Sequence, residues 1–295
     1  MNKLKLRETV TGYLFILPNL IGIGVFTIFS LGFSFYISLT DWQLIGSIGG
    51  TSFVGIDNYT NVLRDDYFWT SLRNNLWFLL QIPVQTFLAL ILALLLNHLL
   101  ATGKTLRIIY FLPHITNMVA VLMVWNMLFN PSKGPVNAIL KAIGIDNPPM
   151  WHLDTFWAKP TLALFGVWGA LGYYALIYAA SLTGIPKDLY EAAEIDGANA
   201  RQKFWRITFP LISPTTLFIV MVSTIGSFQQ WSSIQVFTDG GPGSSTYVLG
   251  YFVYKYGFSY FRMGYASAAA WLLAIIIIGF TIVQWKLQKK WVHYG

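Results

Sequence analysis

The sequence predicts an all-α membrane protein of six transmembrane helices, with both termini cytoplasmic. Three observations lead there. Of the 295 residues, 55% are hydrophobic and 11% charged, whereas a soluble domain carries about 25% charged residues. The charges cluster, and between the clusters lie six uninterrupted runs, 9–40, 74–103, 108–132, 160–186, 207–238 and 263–285. Each is long enough for the helix of about 20 residues that crosses a hydrocarbon core. With the N-terminus inside, the inner loops hold twelve Lys and Arg and five acidic residues, and the outer loops seven of each. An excess of Lys and Arg marks the cytoplasmic side. The net charge of +7 thus reads as topology and contact with anionic membrane lipid. No patch combines dense Arg and Lys with stacking aromatics, so no nucleic-acid partner is expected.

The elements follow in chain order, as a single transmembrane domain over 1–295. The first helix spans about 12–39. Its basic start suggests a leader, but the apolar run is about twice the length of a leader's core and no small-residue cleavage site follows. The outer segment 40–71 begins with Gly-rich turns (46–50) and continues as a polar loop. A second helix spans about 74–99, with Pro83 inside it removing a backbone bond and kinking it. A third spans about 107–129, with Pro113 near its start. The outer loop 130–159 carries a short amphipathic piece between PSKGP and DNPPM. A fourth helix spans about 160–183, a cytoplasmic loop 184–210, a fifth helix about 211–237, and a sixth about 263–285. Lys286, Lys289 and Lys290 close the last. The runs 42–56 and 240–254 are too short and Gly-rich to span.

Several chemistries lack their residues. There is no cysteine, and His98, His114, His152 and His293 are scattered without ligand spacing; each reads as interfacial or packed. Gly103-Lys104-Thr105 ends like a phosphate-binding loop, but the Gly required five residues earlier is His98, so that motif does not bind nucleotide here. No Asp, Glu, Lys or Arg lies inside a predicted span. This weighs against a proton- or sodium-coupled carrier and against an intramembrane hydrolase, since both commonly keep ionisable groups at depth.

The spans instead hold neutral polar and aromatic residues. On the fifth helix Ser223, Ser227 and Gln230 fall at i, i+4 and i+7 and share one face. Gly166, Gly169 and Tyr173 share a face of the fourth. Trp125 and Asn126 lie on the third helix, Gln81 and Gln85 on the second. One reading is helix–helix glue, with small residues allowing close approach and Ser or Gln bonding across helices. The other is a neutral lining for a polyhydroxylated solute, whose hydroxyls pair with amides while its faces stack on rings.

The cytoplasmic loop is the polar exception. Pro186 suits a first helical turn with Asp188 beside the positive helix end. Leu189 to Ile195 form a mostly apolar short helix, and Gly197 supplies the turn. A second short helix runs from Asn199 to Ile207. Glu191, Glu194 and Asp196 fit poorly against an anionic leaflet. A small knuckle with apolar and charged faces better fits a groove in a partner protein.

Glu191-Ala192-Ala193, Gly197 six residues after Glu191, Ile207 and Phe209-Pro210-Leu211 resemble the EAA loop of bacterial ABC-importer permeases, with Phe209 where Leu is frequent. The stretches 53–75, 125–140 and 236–258 resemble the carbohydrate-uptake branch, and the likeness to the maltose-transporter type covers nearly the whole chain. The resemblance implies the ABC type I importer permease (MetI-like) fold in a bacterial cytoplasmic (inner) membrane. It implies a second homologous permease, two ATP-binding subunits and an extracytoplasmic solute-binding protein as partners. The chain is then not an enzyme and binds no cofactor, ATP and Mg being held by the partner subunits. Glu191, Ala192, Ala193, Asp196, Gly197 and Phe204 become coupling residues. Family contact positions fall at or near Tyr173, Ser223, Ser227 and Gln230, the residues that periodicity also selects, with Asn126 and Gly169 added to the path. The family example has amides where Ser227 sits, which bears on which sugar is carried. A neutral oligosaccharide is expected. A glycerol-phosphate or acidic-sugar importer is the alternative, and a secondary carrier for neutral solutes a third reading that leaves the loop unexplained.

Overall fold

The structure, a computed structural model, describes residues 3–45, 50–98 and 103–293, with side chains described for 11–45, 50–96 and 108–293. The expected glycine turn at 46–49 and the expected inner turn at 99–102 lie outside the described residues. Contacts divide the chain into two units. One comprises the described residues of Met1–Asp65 and Val253–Leu272, the other those of Asp66–Phe252 and Leu273–Gly295.

In the first unit, α1 (Lys3–Ile23) continues through a π-helical stretch, Gly24–Phe29, into α2 (Ser30–Ser38). Thr11–Ser38 is long and apolar enough to cross a membrane, and its apolar window is nowhere buried inside the chain. Phe15 and Phe26 are 82% and 80% exposed, which suits a lipid or protein surround and not water. The outer segment expected as loop contains a helix, α3 (Asp57–Arg64), with Asp57 in its first turn and Arg64 in its last, each favourable to the helix dipole. Buried Asn58 donates to the carbonyls of Ser38 (2.9 Å) and Thr40 (2.7 Å), satisfying acceptors left open where α2 ends. The Asp65 carboxylate accepts from the hydroxyls of Tyr256 (2.7 Å) and Tyr265 (2.8 Å). Burial first, then this acceptor, raises the Tyr256 phenol above its ordinary range.

The second unit begins with α4 (Asp66–Phe78) and, after a break at Leu79–Leu80, α5 (Gln81–His98). The two together form an apolar span, Asp66–Leu96, eight residues longer at its start than the charge pattern suggests. Then come α6 (Gly103–Ile115), α7 (Met118–Leu128), α8 (Pro135–Ala142) and α9 (Ala158–Thr183). The run expected as a single third helix is two, α6 and α7, meeting at 103°. The residues explain the break. Pro113 has no N–H to donate, and Asn117 leaves the helical region (φ −56°, ψ 118°) and caps α7 by accepting from the amides of Val119 and Ala120.

The chain continues through α10 (Lys187–Ile195), α11 (Ala200–Lys203), a π-helical turn Phe204–Thr208, α12 (Phe209–Gln229), α13 (Ser232–Phe237), α14 (Leu249–Tyr254), a π-helical turn Lys255–Ser259 and α15 (Met263–Gln288). The expected fifth helix also breaks, at Gln230, whose backbone turns extended. Gly250 makes room for the carbonyls freed there: a Cβ on it would come within 2.6 Å of the Gln230 oxygen. Asn75 braces the same place, donating to the Ser227 carbonyl (3.0 Å) and accepting from the Leu249 amide (2.8 Å).

The core of this unit joins α5, α9 and α12. Ala89 and Ala93 on α5 pack with Ala175 and Ala179 on α9, with Tyr178, Ile212 and Ile219 filling the space between. Between lipid-embedded helices water is not being displaced, so close approach of small residues replaces the hydrophobic effect as the driving contact. Gly172 is the extreme case. A Cβ there would collide with the carbonyl of Tyr110, so α6 and α9 touch backbone to backbone.

Candidate functional site

Against the face of α12 that carries the polar stripe lies a cavity of about 400 Å³, walled by α5, α6, α9 and α12. Tyr173, Ser223, Ser227 and Gln230 all line it, joined by Gln81, Gln85 and His114. The close crossing at Gly172 sets the His114 ring face to face on Tyr173, with centroids 4.3 Å apart and planes 5° apart. Ser223 donates to the Tyr174 hydroxyl (2.9 Å), so its proton is committed to bracing α12 on α9. Ser227 is 4% exposed and its Oγ has no hydrogen-bond partner among the described residues.

A neighbouring cavity of about 330 Å³ shares His114, Gly166, Ala170 and Gln230 and adds Gly169. Asn126 lines neither cavity. It follows the bend on α7, half-buried beside Trp125, which packs on Phe129, Phe165 and Trp168. No lining residue of the 400 Å³ cavity carries a fixed charge, and His114 is the one lining side chain able to become cationic.

Sequence reasoning discounted His114 and left Gln81 and Gln85 as undifferentiated polar residues. Signals for them existed. The glutamines stand four apart, on one helical face. Pro113-His114 lies just ahead of Asn117, a residue type that stops one helix and caps the next.

The polar loop between α9 and α12 is a helical hairpin that closes on itself. At the end of α10, Gly197 takes φ +74°, and the Ala198 amide reaches back to the Ala193 carbonyl (2.8 Å), a Schellman stop. Asn199 and Gln202 form a reciprocal capping box that starts α11. Lys203 Nζ meets Glu194 Oε1 at 2.6 Å, and that hydrogen bond holds the Glu194 carboxyl below its usual range. Tyr190 and Thr208 share a hydrogen bond of 2.8 Å between α10 and the π turn. Tyr190, Phe204, Ile207 and Leu211 pack on the unit's core. Glu191, Ala192, Asp196 and Gly197 are exposed, Ala193 is half-buried, and Ile195 is 87% exposed. The hairpin therefore anchors one side in the bundle and presents the other. Phe204, expected as a coupling residue, is half-buried and packs toward the bundle.

The model of the family described as binding-protein-dependent transport system inner membrane component matches residues 85–292. The trehalose/maltose transport system permease protein MalF of Thermococcus litoralis is 34% identical, covering 98% of this chain and 97% of its own. The sn-glycerol-3-phosphate transport system permease protein UgpA of Agrobacterium fabrum is 32% identical, covering 100% of both. Among solved structures, a chain of the bacterial alginate ABC transporter, in complex with an alginate pentasaccharide-bound periplasmic protein, superposes with a TM-score of 0.83. That match is 23% identical and covers 99% of this chain and 98% of the other, a likeness of fold.

Proposed function

The chain belongs to the family of binding-protein-dependent transport system inner membrane components, and on that premise we propose that it is one of two homologous permeases of an ATP-driven importer for a neutral oligosaccharide. In this reading an extracytoplasmic binding protein delivers the sugar, two partner subunits hydrolyse ATP, and the hairpin of α10 and α11 docks on one of them. Both termini lie in the cytoplasm. Glu191, Ala192, Ala193, Asp196 and Gly197 form the docking face, and Phe204 ties that face to the bundle. Tyr173, Ser227 and Gln230 contact the sugar, and Ser223 holds the contact helix in place.

One observation carries the coupling: α11, the π-helical turn and α12 follow one another without a non-helical residue from Ala200 to Gln229. This run starts in the presented hairpin and ends at Gln230 on the cavity wall. A displacement imposed on the hairpin is therefore passed along continuous helix toward the sugar-facing stripe. ATP and the loaded binding protein must each favour the outward-open arrangement, because a ligand shifts an equilibrium only by its differential affinity for the two states. The sugar assignment is supported by a charge-free lining of hydroxyl, amide and stacked rings. An anionic solute is the second reading, favoured by His114 on the same wall and by the UgpA relative.

The test is co-expression with the partner permease and ATP-binding subunits, comparing wild type with Gly197→Pro. Sugar-stimulated ATPase activity is expected to collapse while the membrane complex still assembles. Full coupling in the mutant, or sugar uptake by wild type without any ATP-binding subunit, overturns the reading in favour of a carrier.

A further inference from the structure

We propose that Gln81 and Gln85 form a second hydrogen-bonding wall of the solute cavity and select uncharged sugars through pairs of vicinal hydroxyls. The inference rests on the reading of this cavity as the solute site. Both residues lie on successive turns of α5 and line the same cavity as Ser227 and Gln230. Gln85 is only 4% exposed. Neither amide, nor that of Gln230, makes a side-chain hydrogen bond among the described residues, and the Ser227 Oγ is orphaned as well.

If these residues were only glue between helices, they would be bonded across the helix contacts. Glue of that kind exists in this unit. Tyr178 donates to Thr216 at 2.9 Å and Thr215 to Ser181 at 2.9 Å. Around the cavity the Gln81 and Gln85 amides on α5 instead open onto a shared space opposite the unpartnered Ser227 Oγ on α12 and the Gln230 amide just beyond it. A buried polar group normally finds a partner, and the Ser227 Oγ opposite the glutamines is short of one. Gly166 fits the arrangement, since a Cβ there would press to 2.9 Å from Gln81 Oε1 and push the amide off the wall.

The chemistry of the missing partner follows from the groups. Each glutamine offers a donor and an acceptor side by side, which matches two adjacent hydroxyls, one accepting and one donating. Two amides at i and i+4 stand roughly 5–6 Å apart at their Cβ atoms, the scale of one sugar ring. A carboxylate or phosphate would use only the donors and leave the amide oxygens unpaired, with His114 the one lining side chain able to balance its charge.

The experiment uses the complete transporter in liposomes with its partner permease, ATP-binding subunits and binding protein. Lactose, maltose, trehalose, raffinose, glycerol 3-phosphate and glucuronate serve as probes. For the neutral sugar that wild type accumulates, each monodeoxy analogue is then compared with its parent in wild type, Gln81→Leu and Gln85→Leu. At least one analogue is expected to lose about tenfold in uptake kcat/KM in wild type. In one leucine variant the parent is expected to fall by about the same factor, and that analogue's penalty to vanish. Should a leucine variant fail to assemble, the asparagine variant at that position, which keeps the amide but shortens its reach, is put through the same cycle. Unchanged analogue penalties in assembled, transporting variants at both positions overturn the glutamine wall and leave the solute site standing. Wild-type uptake of glycerol 3-phosphate or glucuronate with none of the neutral sugars overturns the neutral-solute reading and the wall with it.

Discussion

Gly169 and Gly172 sit one turn apart on α9, yet the same substitution at each should have opposite consequences. A methyl group at Gly169 meets nothing within 4 Å, while one at Gly172 would occupy the space of the Tyr110 carbonyl. In a helix interior, alanine is favoured over glycine by about 1 kcal/mol. Gly169→Ala therefore gains up to about 1 kcal/mol. Overpacking costs about 1–3 kcal/mol, and the obstacle at Gly172 is backbone, which cannot rotate away. The upper end of that range applies, so Gly172→Ala is a net loss of about 2 kcal/mol. The two variants then differ by about 3 kcal/mol, or roughly 6–12 °C in midpoint at 1 kcal/mol per 2–4 °C. Fluorescence-detected size exclusion after a heating series, on the chain in its detergent-solubilised complex, measures the difference. Because the obstacle is a carbonyl, Tyr110→Ala should not rescue Gly172→Ala. Gly172→Ala should also weaken solute uptake, because moving α6 unstacks His114 from Tyr173. Equal midpoints, or a larger loss at Gly169, would refute the backbone contact as the element that sets this crossing.

Other outcomes follow from the same geometry. Gly197→Ala should cost about 1 kcal/mol of local stability through its positive φ alone, since a Cβ there meets nothing within 4 Å. Gly197→Asn should cost less, and co-purification of the ATP-binding subunits should rank wild type above Asn above Ala. Asn75→Ala strands the Ser227 carbonyl and the Leu249 amide, and should cost about 2–6 kcal/mol at about 1–3 for each orphaned group, read from the thermal midpoint. The depressed pKa of Glu194 has a definite sign. Its contribution is present above the unfolded carboxyl value of about 4.3 and disappears as pH falls through the lower folded value. A ¹³C titration of the Glu194 carboxyl should show that midpoint moving up toward the unfolded value in Lys203→Met, and less separation between the two proteins in high salt.

The spans were legible because a charge at bilayer depth is costly, and a chain that avoids charge over twenty residues records the cost directly. Direction was less legible. The run 108–132 carries no charge on either side of its bend, so composition alone merges α6 with α7. The Pro113 and Asn117 signals were present, but a kink and a 103° break share the same residue types. That bend explains why Asn126 was expected at the path and does not line the cavity. The hairpin of α10 and α11 was legible in detail, because its stops and caps are local chemistry: Gly197 for a positive φ, Asn199 with Gln202 for a box. The inward side of Phe204 was not, since a single aromatic opening a five-residue π-helical turn has no periodicity to show which way it faces.

The sequence by itself determined the class of the molecule and the residue types of its site: spans without charge, an amphipathic loop, and a Ser–Ser–Gln stripe at helical spacing. These depend on desolvation and on a 3.6-residue repeat, both properties of a single segment. Only the tertiary structure decided which polar residues are spent and which are free. Ser223 is engaged by Tyr174, while Ser227, identical in type and one turn on, is left without a partner. Tertiary structure likewise brought Gln81, Gln85 and His114 to face that stripe from two other helices. Their meeting depends on how closely helices cross, at Gly172 and along the alanine faces of α5 and α9, and interhelical distance is a property of pairs of segments that no single stretch of sequence carries.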